Sequence, residues 1–344
     1  MDILGLSDLP FLPHVVTRAD IPEDLASVQT IDAAAEVDPV DVGLEADAVD
    51  RIWGAALRWY RSGIHPALSM CVRVRGQVIL KRSLGYSHGG GPGDDPDARK
   101  VLATPETPFN IFSASKPMAA MAIHLLDQRG LLRLDDPVCE YIPEFARHGK
   151  EWITIRHVLV HRAGIPVLPD AALDLDYLED INTPKAIELL CDAQPTSRAG
   201  GRISYHAVTG GFLLGEIVRR VTGRNIRFLV QHELCEPFGW RWMNYGVHRR
   251  DVPKVASSYF TGLPLVQPLR AIVHSMLGVD FQQVVELSND PRFLMGVMPA
   301  ANLMATADEL CQFYQMLLNG GTLKGKRVFD PITVWRATSE QSYG

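Results

Sequence analysis

Ser113 and Lys116 stand three residues apart in Phe112-Ser113-Ala114-Ser115-Lys116-Pro117, where an apolar helical stripe begins. Residues at i and i+3 share a helix face, so this spacing places the Ser113 hydroxyl beside the Lys116 ammonium. A serine hydroxyl is a weak nucleophile until a neighbouring base takes its proton. Lysine can be that base when desolvation or nearby positive charge lowers its pKa. The unpaired N–H groups of the helix start favour developing negative charge. Pro117 costs little there, because a first turn has few intrahelical bonds to lose. The pattern points to acyl transfer through a serine.

A second serine competes. Gly85-Tyr86-Ser87-His88-Gly89 fits G-x-S-x-G, a nucleophile elbow that needs a strand before it and a helix directly after it. A strand does precede, but Gly-Gly-Gly-Pro-Gly-Asp-Asp-Pro follows and cannot start a helix of any length. Ser113 is therefore preferred to Ser87. His232 and Glu233 open His-Glu-Leu-Cys-Glu, which lacks the second histidine of a zinc protease motif. Cys71, Cys139, Cys191, Cys235 and Cys311 are widely spaced and form no C-x-x-C. They are expected to be buried free thiols, not a disulfide framework or a zinc site.

The elements that must position these groups follow from periodicity. Val49, Ile52, Trp53, Ala56, Leu57 and Tyr60 mark one helix face. The stretch from Leu68 to Gly85 alternates on either side of Arg75-Gly76, a hairpin pattern. Met118, Met121, Ala122, Leu125 and Leu126 form a stripe that ends at Gly130. Leu213, Leu214, Ile217, Val218 and Val221 form another that ends at Gly223. Thr306 and Glu309 have capping-box spacing, with Leu310, Phe313, Tyr314, Leu317 and Leu318 as the expected buried face. Residues 1–43 show no sustained period and are expected to be an extension outside the main fold. The pattern is α+β, with no repeating βαβ unit.

The 344 residues are 47% hydrophobic and 22% charged, the composition of a globular protein, with a formal net charge of −6. That balance offers no basic face for nucleic acid or an anionic membrane. No apolar run approaches the roughly 18–20 residues needed to cross a bilayer. The start carries acidic residues where a secretory signal carries basic ones, so a cytoplasmic location is expected. No pattern in the chain encodes an oligomeric state.

The stretch FNIFSASKPMAAMAIHLLDQRGLLRLDDPV resembles the serine β-lactamase, penicillin-binding protein and family VIII carboxylesterase superfamily. ITIRHVLVHRAGIP (153–166), ISYHAVTGGFLLGEIVRRVTG (203–223) and PAANLMATADELCQFYQMLLNGGTLKGKRVF (299–329) are similar to further family segments in the same order. The resemblance runs from about Leu44 to Phe329. It implies an antiparallel sheet flanked by helices, with sheet parts at 44–112 and about 300–344 and a helical part at about 113–299. It implies Ser113 as nucleophile, Lys116 as its base, and Tyr205 as a catalytic tyrosine that relays protons. His161 then falls at a helix end with a structural role, and His206 beside Tyr205 is expected to be solvated.

Two departures from the family pattern bear on function. The tyrosine motif reads Tyr205-His206-Ala207, without the asparagine whose amide holds an acylamino side chain in β-lactam-processing members. The late Lys-or-His-x-Gly motif, which carries an oxyanion-hole N–H, has no counterpart after Phe329, so the closing strands are expected to be missing. Loss of one such donor typically costs a factor of about 10²–10³ in rate. The expected function is a carboxylesterase acting on small esters through an acyl-enzyme, with no metal or organic cofactor. The alternatives are β-lactamase or D-alanyl peptidase activity, and an impaired fragment or non-catalytic binding protein on the same scaffold.

Overall fold

The computed structural model describes residues 16–167, 184–277 and 279–341. The chain divides into two compact units. The first comprises Met1–Phe109, Pro253–Arg270 and Thr306–Cys311. The second comprises Asn110–Val252, Ala271–Ala305 and Gln312–Gly344.

In the first unit, β1 (Gln29–Ile31) precedes helix α1 (Ala48–Tyr60). The hairpin β2 (Ala67–Val74) and β3 (Gln77–His88) follows, then β4 (Val101–Leu102). The sheet order is β1-β3-β2, with β4 also on β3, and each of these pairs is antiparallel. Arg75 and Gly76 make the hairpin turn with φ of 51° and 82°, the left-handed pair that matches strand twist in a two-residue loop. The α1 stripe is buried as the periodicity requires: Val49, Trp53, Ala56 and Tyr60 pack with Ile79, Leu80 and Leu84 of β3.

Residues 1–43 are not simply an extension. Leu25, Val28 and Val42 belong to that same core, and β1 pairs with β3 from Gln29↔Leu84 to Ile31↔Arg82. The signal is aperiodic because the buried residues come from two short 3-10 turns, Leu25–Val28 and Pro39–Val42, while the three-residue strand between them is held by pairing and buries none. Residues 1–15 lie outside the described residues.

The second unit opens on β5 (Phe109–Asn110) and a 3-10 turn, Phe112–Ser115, that runs into α2 (Lys116–Gln128). Then come α3 (Ile155–Leu159), α4 (Lys185–Asp192), α5 (Thr209–Thr222), α6 (Ile226–Val230) and α7 (Glu236–Phe238). After β6 (Asn244–Tyr245) follow α8 (Leu269–Leu277), α9 (Phe281–Leu287) and α10 (Pro291–Met295). The chain closes with β7 (Leu303–Ala305), α11 (Ala307–Leu318), the hairpin β8 (Thr322–Leu323) and β9 (Lys326–Arg327), and α12 (Pro331–Thr338). A small sheet of order β5-β7-β6 joins the start of the Phe112–Ser115 turn to the late chain. The chain is α+β with antiparallel sheets, as the sequence implies.

The expected sheet part at about 300–344 differs in detail. Residues 312–344 group with the helical unit, and only β7 and the β8–β9 hairpin are strands among the described residues there. On α11 the capping box forms: Thr306 N donates to Glu309 Oε2 and Glu309 N to Thr306 Oγ1, both at 3.2 Å. Its buried face is Glu309, Gln312, Phe313 and Met316, whereas Tyr314 and Leu318 are exposed, Leu318 by 81%. The buried face is rotated toward Glu309 and Gln312, so Phe313 at one edge of the apolar stripe is buried while Tyr314 and Leu318 on the other side face away. No described helix is long and apolar enough to cross a membrane.

Candidate active site

Ser113 sits on the 3-10 turn, and Lys116 is the first residue of α2. Lys116 Nζ donates to Ser113 Oγ at 3.0 Å and to the Ala300 carbonyl at 3.1 Å. Burial lowers the Lys116 pKa from the ordinary 10.5, opposed in part by the Tyr205 hydroxyl. Desolvation penalises the charged form, which is how a lysine becomes a usable base. The ammonium lies 4.9 Å from the centre of the Tyr205 ring. The three residues singled out in the sequence therefore meet.

The turn under Ser113 is held by its neighbours. Phe112 has a φ of 45°, a conformation that costs a non-glycine residue about 1 kcal/mol or more. Phe112 N donates to Asn110 Oδ1, and the Phe112 carbonyl accepts from the fully buried Ser115 hydroxyl. Ser115 Oγ also accepts from Leu303 N at 2.9 Å, and the Ser115 carbonyl accepts from the Tyr245 hydroxyl at 2.9 Å. Ser115→Ala should leave the buried Leu303 N–H unpaired, at about 1–3 kcal/mol before relaxation, and remove a bond to the half-buried Phe112 carbonyl. Urea denaturation is expected to show a loss in this range together with a fall in kcat. Unchanged stability would show that the contacts are not needed.

The Ala300 carbonyl reaches Lys116 because α5 allows a close approach. A Cβ at Gly211 would lie 2.6 Å from both Ala300 N and Cβ, and one at Gly215 would lie 2.8 Å from Pro299. Asn302, fully buried, ties this turn by donating to the Phe293 and Gly296 carbonyls and accepting from Met298 N. Sequence reasoning missed this support. The signal that was available is Gly211 and Gly215 at i, i+4 on an otherwise apolar helix.

Tyr205 is held through its flanks. Ser204 N donates to the His161 carbonyl at 2.9 Å, and His206 N to His161 Nδ1 at 3.1 Å. His206 is fully buried, which corrects the expectation of a solvated imidazole. Its Nδ1 lies 2.6 Å from the Ser204 carbonyl, and its Nε2 accepts from Ile165 N at 3.3 Å. That pairing assigns a neutral ring with the proton on Nδ1. Burial pushes its pKa down to about 4. The two imidazoles stack at 5.6 Å, and the His161 ring lies 5.0 Å from that of Tyr205. His161 is lowered first by burial and then by the Lys116 charge, so it too is neutral near pH 7. Tyr205 itself is 40% exposed, and Ala207 is buried.

Ser87 lies at the end of β3 and is buried, with its hydroxyl donating to the Val101 carbonyl. No helix follows it directly. Two of the five thiols, Cys191 and Cys235, are buried as expected, while Cys71, Cys139 and Cys311 are half-buried. Among the described residues no group of three or more His, Cys, Asp or Glu side chains could hold a metal ion.

The family model described as Beta-lactamase matches residues 47–342. The chain belongs to the beta-lactamase family. Among curated relatives it is similar to Esterase/beta-lactamase LipL of Mycobacterium tuberculosis, at 34% identity over 63% of this chain and 52% of that one. It thus spans about half the length of that relative. It is similar to Esterase EstB of Burkholderia gladioli, at 26% identity over 80% of this chain and 72% of the other. Among solved structures it is similar to a penicillin-binding protein homolog from Caulobacter crescentus, with a TM-score of 0.75 and 27% identity. That match covers 88% of this chain and 78% of the other.

Proposed function

We propose that the chain is a serine hydrolase that cleaves small carboxylic esters through an acyl-enzyme on Ser113. The observation that carries this reading is Lys116 Nζ at 3.0 Å from Ser113 Oγ, on a lysine whose pKa is lowered by burial. The esterase names of two relatives support the same class.

In the proposed reaction, Ser113 Oγ attacks the ester carbonyl as its proton passes to neutral Lys116. The tetrahedral oxyanion is received by the Ser113 N–H on the same turn, since a preorganised donor stabilises the developing charge. Collapse breaks the C–O bond, and the leaving alkoxide takes a proton through Tyr205 or Lys116. Water then attacks the acyl-enzyme and gives a proton to Lys116; the acyl–Oγ bond breaks, Lys116 returns that proton to Ser113 Oγ, and the acid leaves.

A fluorophosphonate should add once, on the peptide containing Ser113, and Ser87→Ala should not alter the labelling. Intact mass and peptide mapping read this directly, and an adduct on Ser87 would overturn the assignment. Short-chain esters should be preferred to β-lactams, because the buried Ala207 methyl cannot hydrogen-bond an acylamino group. A site that lacks the polar partner gains nothing from a substrate that carries it. A larger kcat/KM for a chromogenic cephalosporin than for p-nitrophenyl butyrate would reverse this ranking.

A further inference from the structure

Strand β2 sends Leu68, Met70, Val72 and Val74 toward the core of the first unit. Successive strand residues face opposite sides, so Cys71 and Arg73 share the other face. Asp308 and Cys311, three apart on α11 and so on one helix face, meet them there. Asp308 Oδ1 accepts from Arg73 Nη2 at 2.6 Å and from Cys71 Sγ at 3.6 Å. Cys311, one turn after Asp308 on the same helix, is close enough to interact with both the Cys71 thiol and Arg73.

We propose that Cys71 and Cys311 form an oxidisable dithiol, in which Cys311 attacks a hydroperoxide and Cys71 resolves the product as a disulfide. The thiolate is the reactive form. Cys311 is lowered to about 7, first by its interaction with the Cys71 thiol and then, against the cost of burial, by the Arg73 charge. Cys71 is raised by the same interaction and by burial, so it keeps its proton.

The steps balance. The Cys311 sulfur bonds to one peroxide oxygen as the O–O bond breaks, leaving a sulfenic acid and water or an alcohol. Cys71 then attacks the Cys311 sulfur as its proton leaves by way of Asp308, and the S–O bond breaks to release water. The dithiol loses two electrons and two protons, and the peroxide is reduced. Cys139 provides a control within the chain. It is also half-buried, but burial and the neighbouring Glu140 and Glu151 raise its pKa.

The test treats the reduced full chain with hydrogen peroxide, alkylates remaining thiols after denaturation, and maps peptides without reductant. The expected result is one linked pair containing Cys71 and Cys311, reversed by dithiothreitol, with the other three cysteines alkylated. In Cys71→Ser, dimedone should trap the sulfenic acid on Cys311. In the native protein near pH 7, iodoacetamide should label Cys311 about tenfold faster than Cys139. Oxidation of Cys139 first, a link to any other cysteine, or Cys71 and Cys311 still alkylatable after excess peroxide would overturn the proposal.

Discussion

Lys116→Met is expected to lower kcat/KM for a short-chain ester by about 10³-fold or more, within or above the usual range for a general base. Methionine keeps the apolar stem and removes the amine, so the fold should survive while Ser113 loses its proton acceptor. Lys116→Arg should be equally poor, because a guanidinium stays protonated in proteins. The pH profile supplies the diagnostic reading. Only neutral Lys116 accepts the proton, so wild-type kcat/KM should rise with pH and level off below the ordinary lysine value of 10.5, since burial lowers this group. The rising limb should vanish in Lys116→Met. A variant within tenfold of wild type, with the limb intact, would remove Lys116 from the mechanism.

The pairing of Ser113 with Lys116 is legible in the sequence because i, i+3 spacing is a local geometric rule. So are the β2–β3 hairpin and the α1 face, each set by periods of 2 or 3.6 residues. What is not legible depends on contacts distant in sequence. Ser115 bonds Leu303, and Lys116 bonds Ala300, nearly two hundred residues away. No period announces such a partner. His206 shows the same limit: a histidine beside an exposed tyrosine reads as solvated, yet its ring is enclosed by the Ser204 and Ile165 backbone. The segment before Gly43 shows no stripe because its core residues come from two short 3-10 turns, which bury two residues and one, and its strand buries none.

The strain at Phe112 and the bonds that hold it give the turn a definite purpose. A positive φ at the residue before Ser113 costs energy that must be offset locally. Ser115 and Asn110 supply that offset, and both act on the backbone, leaving the Ser113 side chain unencumbered. Lys116 reaches Ser113 Oγ from the first turn of the same helix. A rigid turn with an accessible hydroxyl and one buried amine fits preorganised attack better than it fits a binding surface.

The second large effect is expected in the first unit, at Gly85. Its backbone has a φ of 89°, and an added Cβ would lie 2.2 Å from the Pro66 carbonyl oxygen and 2.8 Å from the Tyr60 ring. Neither neighbour can yield easily, since Tyr60 is fully buried and Pro66 O accepts from Tyr86 N. Gly85→Ala should therefore combine a left-handed backbone penalty with overpacking, on the order of 3 kcal/mol or more. Ser87→Ala, which removes one hydroxyl at a strand end, should cost far less, about 1 kcal/mol. The contrast separates two explanations of Gly85-Tyr86-Ser87-His88-Gly89. If the glycine serves an elbow, Ser87→Ala should abolish hydrolysis and Gly85→Ala should act mainly on rate. If it serves the approach of Tyr60 and Pro66 to β3, Gly85→Ala should shift the urea midpoint strongly while Ser87→Ala leaves turnover intact. A Gly85→Ala protein as stable as wild type would sink the packing account.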